Sequence, residues 1–310
     1  MNNDVIQKKK LARDISYVEN ASGEAESLLD AAWKTGKHAY RIGITGPPGA
    51  GKSTLVNCLA AIYSDAGIQT AVISVDPSSP FTGGAILGDR IRMNELSYRK
   101  NIFIRSMATR GSLGGLSMKT HDVCDILDGH GFDIILIETV GVGQIELDIA
   151  QAADVTVTVL VPESGDDIQA MKAGIMEITD IFVVNKSDRY GAEVMVLNLQ
   201  SLAALRQKYS TLPWEQPVIK TVATMQKGID QVFEALEQFK NMLVKQNNWQ
   251  TIRNERMKNK VLQLVNESLS EAFWTPEKRK ILHSELQAIS QKKQSPFRIA
   301  KKLLTSLGKT

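Results

Sequence analysis

Cysteine is almost absent from the 310-residue chain, which has only Cys58 and Cys124 and no CxxC pair. This scarcity argues against a disulfide framework and a thiolate metal site. We therefore expect both cysteines to be small, reduced, partly buried side chains.

Long apolar runs are lacking too. No stretch reaches the roughly 18 apolar residues that span a bilayer, and the start MNNDVIQKKK lacks the apolar core of a signal peptide. We therefore expect a cytoplasmic protein with no membrane partner.

Excess charge of one sign is also missing, because 37 Lys and Arg residues oppose 34 Asp and Glu residues, for a net charge of +3. Basic residues do collect near the end of the chain, at Lys292, Lys293, Arg298, Lys301 and Lys302. Solvated helix faces explain such runs more often than nucleic-acid binding does. We predict no nucleic-acid partner.

Hydrophobic residues are plentiful, at 43% of the chain, which is enough for one large core. They form seven runs of strand length: RIGITG (41–46), TAVISVD (70–76), NIFIRS (101–106), FDIILIET (132–139), VTVTVLV (155–161), IFVVNK (181–186) and PVIKTVA (217–223). Several runs have Ile and Val at consecutive positions, as in strands covered on both faces, and helix-like segments separate most of them. This alternation predicts an α/β domain with a mostly parallel sheet over residues 41–243.

Helical periodicity without strands characterises the two flanks, residues 1–40 and 244–310. Apolar residues there are spaced by three and four, which puts them on one helix face. We expect these extensions to pack on the central domain or on a second subunit. The apolar positions are Leu11, Ile15, Val18, Leu28, Leu29 and Trp33 in front, and Val261, Leu262, Val265, Leu282, Leu286, Ile289, Ile299, Leu303 and Leu307 behind.

A phosphate-binding pattern directly follows the first predicted strand. GPPGAGKST satisfies G-x-x-x-x-G-K-[ST] and leads into a helix-like segment, which is the context that the pattern requires. Its glycines let backbone N–H groups approach phosphate oxygens, its lysine supplies a point charge, and its serine offers a hydroxyl to Mg²⁺. An ordinary glycine-rich turn is the alternative. The predicted phosphate-binding residues are Gly46, Pro47, Pro48, Gly49, Ala50, Gly51, Lys52, Ser53 and Thr54.

A base-recognition pattern, N-K-x-D, occurs at Asn185, Lys186 and Asp188, where another predicted strand ends. A carboxylate at Asp188 can accept from both the ring N–H and the exocyclic amine of guanine, whereas adenine has no such donor pair on that edge. A base without this donor pair would leave the carboxylate without hydrogen bonds, so the site would bind that base much more weakly than guanine. A weaker signal is TVATMQKG, which resembles the GTPase loop that contacts the base through a backbone N–H, at Ala223 or its neighbours Val222 and Thr224.

Acidic residues end two of the predicted strands. In P-loop GTPases the strand beside the phosphates ends in D-x-x-G, where the acid reaches Mg²⁺ through water and the glycine senses the γ-phosphate. Glu138 and Gly141 have that spacing, with Glu in place of Asp. Asp76 ends the second strand and Asp89 follows in the next segment, so either could supply a further oxygen to Mg²⁺. A helix cap or a turn is the alternative role for each of these Asp residues.

Gln144 is a candidate for orienting the attacking water. In small GTPases the water-orienting glutamine directly follows the sensor glycine, a place that Val142 takes here. We therefore expect slow unaided hydrolysis, and partner binding or helix capping remain alternative roles. The predicted catalytic residues are Lys52, Glu138 and Gln144.

Six stretches of the chain resemble one family. They are GPPGAGKST, SVDPSSPFTGGAILGDRIRM, FIRSMATRGSLGGLS, IETVGVGQIE, ESGDDIQAMKAGIMEI and VVNKSD. These look like the MeaB/ArgK family of SIMIBI-class P-loop GTPases, closely over residues 25–245. The resemblance implies a chaperone GTPase that gates cofactor delivery to an adenosylcobalamin-dependent acyl-CoA mutase, chiefly methylmalonyl-CoA mutase, and protects that mutase. It also implies a homodimer joined through the C-terminal helices.

Carried over by position, the resemblance implies GTP or GDP on the phosphate loop and Mg²⁺ among Ser53, Asp76, Asp89 and Glu138. Residues 163–174 resemble a mobile switch that communicates with the mutase, with the polar candidates Asp166, Gln169 and Lys172. By sequence alone, a charged loop leading into a helix is the favoured explanation for them.

Arg110 stands beside a glycine in ATRGSLGGLS, which suits a loop that reorders with nucleotide state. One departure from the family is Pro162-Glu163-Ser164, where a glycine is expected after the proline. This departure leaves the identity of the mutase open.

Two other functions use the same phosphate loop. A kinase is possible because a P-loop does not specify the phosphate acceptor, and the family's inherited name refers to an arginine/ornithine transport kinase. A nickel-insertion GTPase would need a Cys/His metal site, and the histidines at 38, 121, 130 and 283 form no cluster in sequence. A GTPase switch is therefore the favoured prediction.

Overall fold

The computed structural model describes residues 3–76, 94–108, 118–139, 145–164, 174–207, 213–246, 248–291 and 293–305. Its strands are β1 (Tyr40–Thr45), β2 (Thr70–Asp76), β3 (Ile102–Ala108), β4 (Ile134–Thr139), β5 (Val155–Leu160), β6 (Ile181–Val184) and β7 (Val218–Lys220). Its helices are α1 (Asn3–Glu19), α2 (Ala25–Thr35), α3 (Lys52–Asp65), α4 (Asn94–Ser97), α5 (Met118–Gly129), α6 (Ile145–Ala152), α7 (Ile175–Ile178), α8 (Ala192–Gln207), α9 (Ile229–Lys245), α10 (Asn248–Phe273), α11 (Pro276–Ser290) and α12 (Pro296–Thr305). Short 3₁₀ turns occupy Pro162–Ser164 and Ala223–Met225.

The strands form one parallel sheet in the order β3-β2-β4-β1-β5-β6-β7. Each of the seven predicted runs overlaps one strand, so the prediction of an α/β domain with a parallel sheet is confirmed. Every side chain of β1, β4 and β5 is buried, which is why these runs carry apolar residues at consecutive rather than alternating positions.

Helices cover both faces of the sheet and give it two main cores. The first lies under α3 and α9 and takes the side chains Val72, Leu136 and Ile44 from the strands. The second takes the intervening residues, such as Ile73 and Ile137, and packs them against α1, α5 and α6. This alternation follows from the two-residue period of a strand and assigns each strand residue to one of the two faces.

The first N-terminal helix packs on the central domain, as predicted. Leu11, Ile15 and Val18 of α1 are all buried in the second core, and α1 contacts α5. Trp33 of α2, predicted on the same buried face, is instead 61% exposed. The buried residue of α2 is Ala32.

The close packing of α2 on α5 explains why the Trp33 side chain is exposed. A Cβ added at Gly129 of α5 would come within 2.6 Å of the Ala32 Cβ, so α2 approaches α5 through its smallest side chain. An alanine facing a glycine lets two helices pack closely, and the bulky indole on the next position turns towards solvent.

The chain divides into two compact units, Met1–Arg253 and Asn254–Thr310. In the second unit, Ile299 and Leu303 of α12 are buried, whereas Val261 and Leu262 of α10 are exposed. The predicted domain boundaries at 40/41 and 243/244 remain predictions.

Both cysteines are reduced, with Cys124 buried and Cys58 half-buried, as predicted. Among the helices that the structure describes, none is both long and apolar enough to cross a membrane.

Candidate nucleotide site

The predicted binding residues gather where the central strands end. Strand β1 lies between β4 and β5, so the chain crosses over in opposite directions on its two sides. Such a switch point leaves a crevice outside the carboxyl ends of the strands, where α/β proteins bind their ligands. The phosphate loop leaves β1 here, β4 ends here with Glu138 and Thr139, and Asn185 directly follows β6.

Two glycines of the phosphate loop cannot be replaced without a clash. Gly46 has φ +133° and Gly51 has φ +90°, both outside the range that other residues adopt readily. A Cβ on Gly46 would lie 2.0 Å from the carbonyl oxygen of Val159, and one on Gly51 would lie 2.3 Å from Nδ2 of Asn185. The loop is thus pressed between β5 and the residues after β6.

The loop ends at the N-terminus of α3. Gly51 is the residue that precedes this helix, and its carbonyl accepts the amide of Leu55, the first bond of the helix. The preceding N–H groups of the first turn have no acceptor within the helix, and together with the helix dipole they favour an anion.

Lys52 is 5% exposed, and its Nζ donates to the carbonyl oxygens of Gly46 at 2.8 Å and Pro47 at 2.9 Å. A buried ammonium needs such acceptors. Its charge is therefore held over the loop itself, within reach of whatever the loop binds.

Ser53 and Glu138 join the phosphate loop to β4. The Ser53 Oγ donates to Glu138 Oε1 at 2.6 Å, and Glu138 is only 3% exposed. A hydroxyl and a carboxylate in contact are the hard oxygen donors that suit Mg²⁺. Among the residues that the structure describes, no three His, Cys, Asp or Glu side chains come together as a metal site. A metal bound here would rely on these two oxygens, on phosphate and on water.

Asn185 ties three segments together. Its Nδ2 donates to the Ala50 carbonyl at 2.8 Å, and its Oδ1 accepts from the Thr221 hydroxyl and the Ala223 amide, each at 3.1 Å. The side chain is 3% exposed, so all of these bonds are shielded from water. The phosphate loop, the end of β6 and the turn after β7 are thereby held as one hydrogen-bonded unit.

Lys186 and Asp188 complete the N-K-x-D pattern on the outer side of this unit. Lys186 adopts φ +54°, and its Nζ donates to the Gly49 carbonyl at 2.8 Å. The Ser187 amide donates to the Thr221 carbonyl at 3.0 Å, which holds the loop beside the end of β7. Asp188 lies exposed at its tip. The pattern therefore combines two structural residues with one exposed carboxylate.

A model of the family described as methylmalonyl Co-A mutase-associated GTPase MeaB matches residues 11–278. The chain belongs to this GTPase family. A Pyrococcus abyssi protein provisionally named as a GTPase is 42% identical over 301 residues, covering 97% of this chain and 93% of its own. The GTPase ArgK of Escherichia coli is 35% identical over 258 residues, covering 81% of this chain and 77% of its own. A crystal structure described as LAO/AO transport system kinase covers 99% of both chains at 23% identity with a TM-score of 0.71, which shows a shared fold.

Membership in this family confirms the resemblance drawn from the motifs. The protein is a GTPase and binds guanine nucleotide. The loop after β1 is accordingly the P-loop of the family.

The predicted base-contact turn is partly used by the protein itself. The Val222 amide donates to the Lys227 carbonyl at 3.1 Å, and the Ala223 amide donates to Asn185. Thr224 is exposed in the 3₁₀ turn beside them.

Several predicted residues lie outside the described part of the chain: Gly141, Gln144, Asp89, Arg110, Asp166, Gln169 and Lys172. Asp76 is the last residue of β2, and its predecessor Val75 is the register partner of Thr139 on β4. The backbone of Asp76 therefore lies beside the end of the strand that carries Glu138.

An ion pair that the sequence did not reveal joins residues 185–189 after β6, called the base loop below, to Glu163. Arg189 Nη1 donates to Glu163 Oε1 at 2.5 Å, and this hydrogen bond lowers the pKa of the Glu163 carboxyl. The side chains are 49% and 54% exposed, so the pair contributes little to stability. Arg189 directly follows Asp188 of the N-K-x-D pattern, but nothing in the sequence relates it to Glu163.

Proposed function

We propose that this GTPase is a Mg²⁺-dependent switch that assists an adenosylcobalamin-dependent acyl-CoA mutase, with methylmalonyl-CoA mutase as the first candidate. Its role is to gate cofactor loading and to protect the mutase. The family's description as mutase-associated supports this partner. One observation carries the proposal: Asn185 links the phosphate loop to the base loop, so a nucleotide held by both acts on one connected unit.

The triphosphate binds to the loop from Gly46 to Thr54. Lys52 already places its ammonium over the loop, and turning it from the Gly46 and Pro47 carbonyls to the outer phosphates exchanges neutral acceptors for charged ones. In the transition state this ammonium stabilises the charge on the transferring phosphoryl group.

Ser53 and Glu138 hold the metal, with Asp76 and Asp89 as further ligands or supports. The 2.6 Å contact between the two side chains supports this assignment, because it brings both oxygens to one point beside the P-loop. When bound, Mg²⁺ neutralises phosphate charge. Glu138 would reach the metal through a water.

Asp188 selects guanine by accepting from its ring N–H and exocyclic amine. Asn185 and Lys186 hold the loop in place, and of the three residues in the base-contact turn we assign the N–H contact to Thr224. Val222 and Ala223 frame it, since the amides of both are already used within the protein.

Hydrolysis completes the switch. Gln144 orients the attacking water, and Gly141 senses the γ-phosphate. Loss of that phosphate releases the loops that contain Gly141 and Arg110.

The mutase contact lies in residues 163–174, through Asp166, Gln169 and Lys172. The Arg189–Glu163 ion pair supports this output, because it connects the start of the segment to the loop that carries Asp188. Loss of the nucleotide from the base loop would then alter the surface that contacts the mutase.

A second copy of the chain is the other partner. On α10 the side chains of Val261, Leu262, Val265 and Leu269 are between 48% and 63% exposed. Their spacing places them along one side of the helix, and such a stripe is typical of a protein interface. We propose that it forms the homodimer contact.

Co-purification tests the partner. The chain is mixed with candidate mutase subunits in the presence of GDP or a nonhydrolysable GTP analogue, and retention that depends on the nucleotide is the expected result. Equal absence of binding in both states would contradict the mutase assignment.

Phosphate release tests the catalytic site. Lys52→Ala should lose nearly all GTP hydrolysis while remaining folded, and Lys258→Ala, which alters an exposed lysine on α10, serves as the control. Normal phosphate release by the Lys52 variant would remove this lysine from the mechanism.

A further inference from the structure

Ser74 of β2 has a buried hydroxyl with no hydrogen-bond partner among the described residues. The residue is 1% exposed, and nothing in the described part of the chain hydrogen-bonds to its Oγ. An unsatisfied buried hydroxyl destabilises the folded state, and such groups are rare enough in native proteins to need an explanation. Alanine would fill the same position without this cost.

Ser74 stands directly beside Glu138. The two are register partners on the adjacent parallel strands β2 and β4. In-register residues of neighbouring strands lie about 4.8 Å apart and direct their side chains to the same face of the sheet. Two residues earlier on each strand, Val72 and Leu136 belong to the core under α3. Ser74 is therefore on the face where Glu138 contacts Ser53 at the start of α3.

We propose that Ser74 is a positioning residue of the metal site, whose hydroxyl donates to the Glu138 carboxylate or to the water by which that carboxylate reaches Mg²⁺. This inference rests on the proposed magnesium-dependent function. Ser53 now supplies a hydrogen bond to Glu138 Oε1. When the Ser53 oxygen turns to a metal, the carboxylate keeps a donor beside it in Ser74.

Removal of the Ser74 hydroxyl distinguishes a role in positioning Glu138 from a role in packing alone. If Ser74 only packs, Ser74→Ala raises the melting temperature and changes nothing else. If it positions Glu138, the same change leaves the melting temperature equal or higher but weakens the response to Mg²⁺. This combination is expected for a residue that supports function but lowers the stability of the folded protein.

The experiment follows release of a fluorescent GDP analogue as Mg²⁺ is titrated, so it does not depend on turnover. For Ser74→Ala, the Mg²⁺ concentration that slows release by half should rise about tenfold, the size expected for one hydrogen bond to a charged group. Release in EDTA should match that of the wild type. A Mg²⁺ titration identical to the wild type overturns the inference.

Thr120 provides a matched control. It is 0% exposed, and its Oγ1 also has no hydrogen-bond partner in the part of the chain that the structure describes. It lies on α5, which packs in the second core on the opposite face of the sheet. Thr120→Val likewise removes a buried hydroxyl, here by putting a methyl group in its place. It should leave the Mg²⁺ titration unchanged, and a tenfold shift in this variant would contradict a specific role for Ser74.

Two further outcomes are decisive. Ser74→Cys replaces the hydroxyl with a somewhat larger thiol, which is a weaker donor, so it should reproduce the alanine result; a wild-type titration in both variants contradicts the inference. If GDP release from the wild type does not respond to Mg²⁺, the proposed metal site itself fails. A wild type that responds, together with a Ser74→Ala variant that responds equally, leaves the metal site intact and overturns only the role of Ser74.

Discussion

The side-chain amide of Asn185 donates to the carbonyl oxygen of Ala50 at 2.8 Å, across 135 residues of sequence. A residue of the guanine-recognition pattern thus holds the phosphate loop in place. Because the Oδ1 of the same side chain accepts from Thr221 and Ala223, a single amide group organises both ends of the proposed nucleotide site.

Asn185→Asp should destabilise the protein and weaken GDP binding. The carboxylate keeps an acceptor for Thr221 and Ala223 but replaces the donor to Ala50 with an oxygen that faces a carbonyl. We expect the free energy of unfolding to fall by about 1–3 kcal/mol, the cost of an unsatisfied buried polar group. Urea denaturation and GDP titration measure both effects. Asn248→Asp, at an exposed amide, is the control, and equal effects of the two changes would refute the role of Asn185.

Gly46→Ala should be far more harmful than Gly67→Ala. Both positions have positive φ, +133° and +78°, but a Cβ at Gly46 would meet the Val159 carbonyl at 2.0 Å, whereas a Cβ at Gly67 meets nothing within 4 Å. Gly67→Ala should cost about 1–2 kcal/mol from its backbone conformation alone. Gly46→Ala should cost about 2–4 kcal/mol and abolish nucleotide binding. Thermal unfolding with and without GDP checks this, and equal losses would show that the clash at Gly46 is relieved.

Asp188→Asn should shift the base preference from guanine towards xanthine. The asparagine side chain cannot accept from both guanine donors, but its amide NH₂ group can donate to the 2-oxo group of xanthine. Competition between GDP and xanthosine diphosphate measures the preference. Glu271→Gln, which also removes one negative charge but from the exposed surface of α10, should leave it unchanged. An Asp188 variant with the parent's full preference for GDP would remove this carboxylate from base recognition.

Asp180→Asn should stabilise the protein more at pH 8 than at pH 5. Burial raises the pKa of Asp180 to about 7, against the opposing effects of the hydrogen bond from the Thr156 amide and the charge of Arg206. An acid whose pKa is raised on folding binds more protons in the folded state, so it lowers stability as the pH rises from about 4 to 7.

Asparagine at position 180 removes this ionisation and keeps an oxygen for the Thr156 amide. The stability gain over wild type should therefore be larger at pH 8 than at pH 5 by about 1–3 kcal/mol. Urea denaturation at both pH values measures the difference. A gain independent of pH would mean that Asp180 does not titrate in this range.

Sequence reasoning predicted the elements whose cause is local. The consecutive Ile and Val residues of β1, β4 and β5 predicted strands buried on both faces, and the structure has them. The spacing of Leu11, Ile15 and Val18 by three and four likewise predicted a buried helix face, because this periodicity is also a local property of the sequence. Trp33 continued that pattern but is exposed, because the close approach of Ala32 to Gly129 depends on a second helix that the pattern does not describe.

The sequence by itself determined the strands, the glycine-rich loop at the start of α3 and the family, since each depends on the spacing and conformational preferences of neighbouring residues. Only the tertiary structure decided that Asn185 supports the phosphate loop, that Arg189 pairs with Glu163 and that Ser74 stands beside Glu138. These relationships arise when distant segments meet at one edge of the sheet, and the distance between two residues along the chain does not determine whether they meet in space.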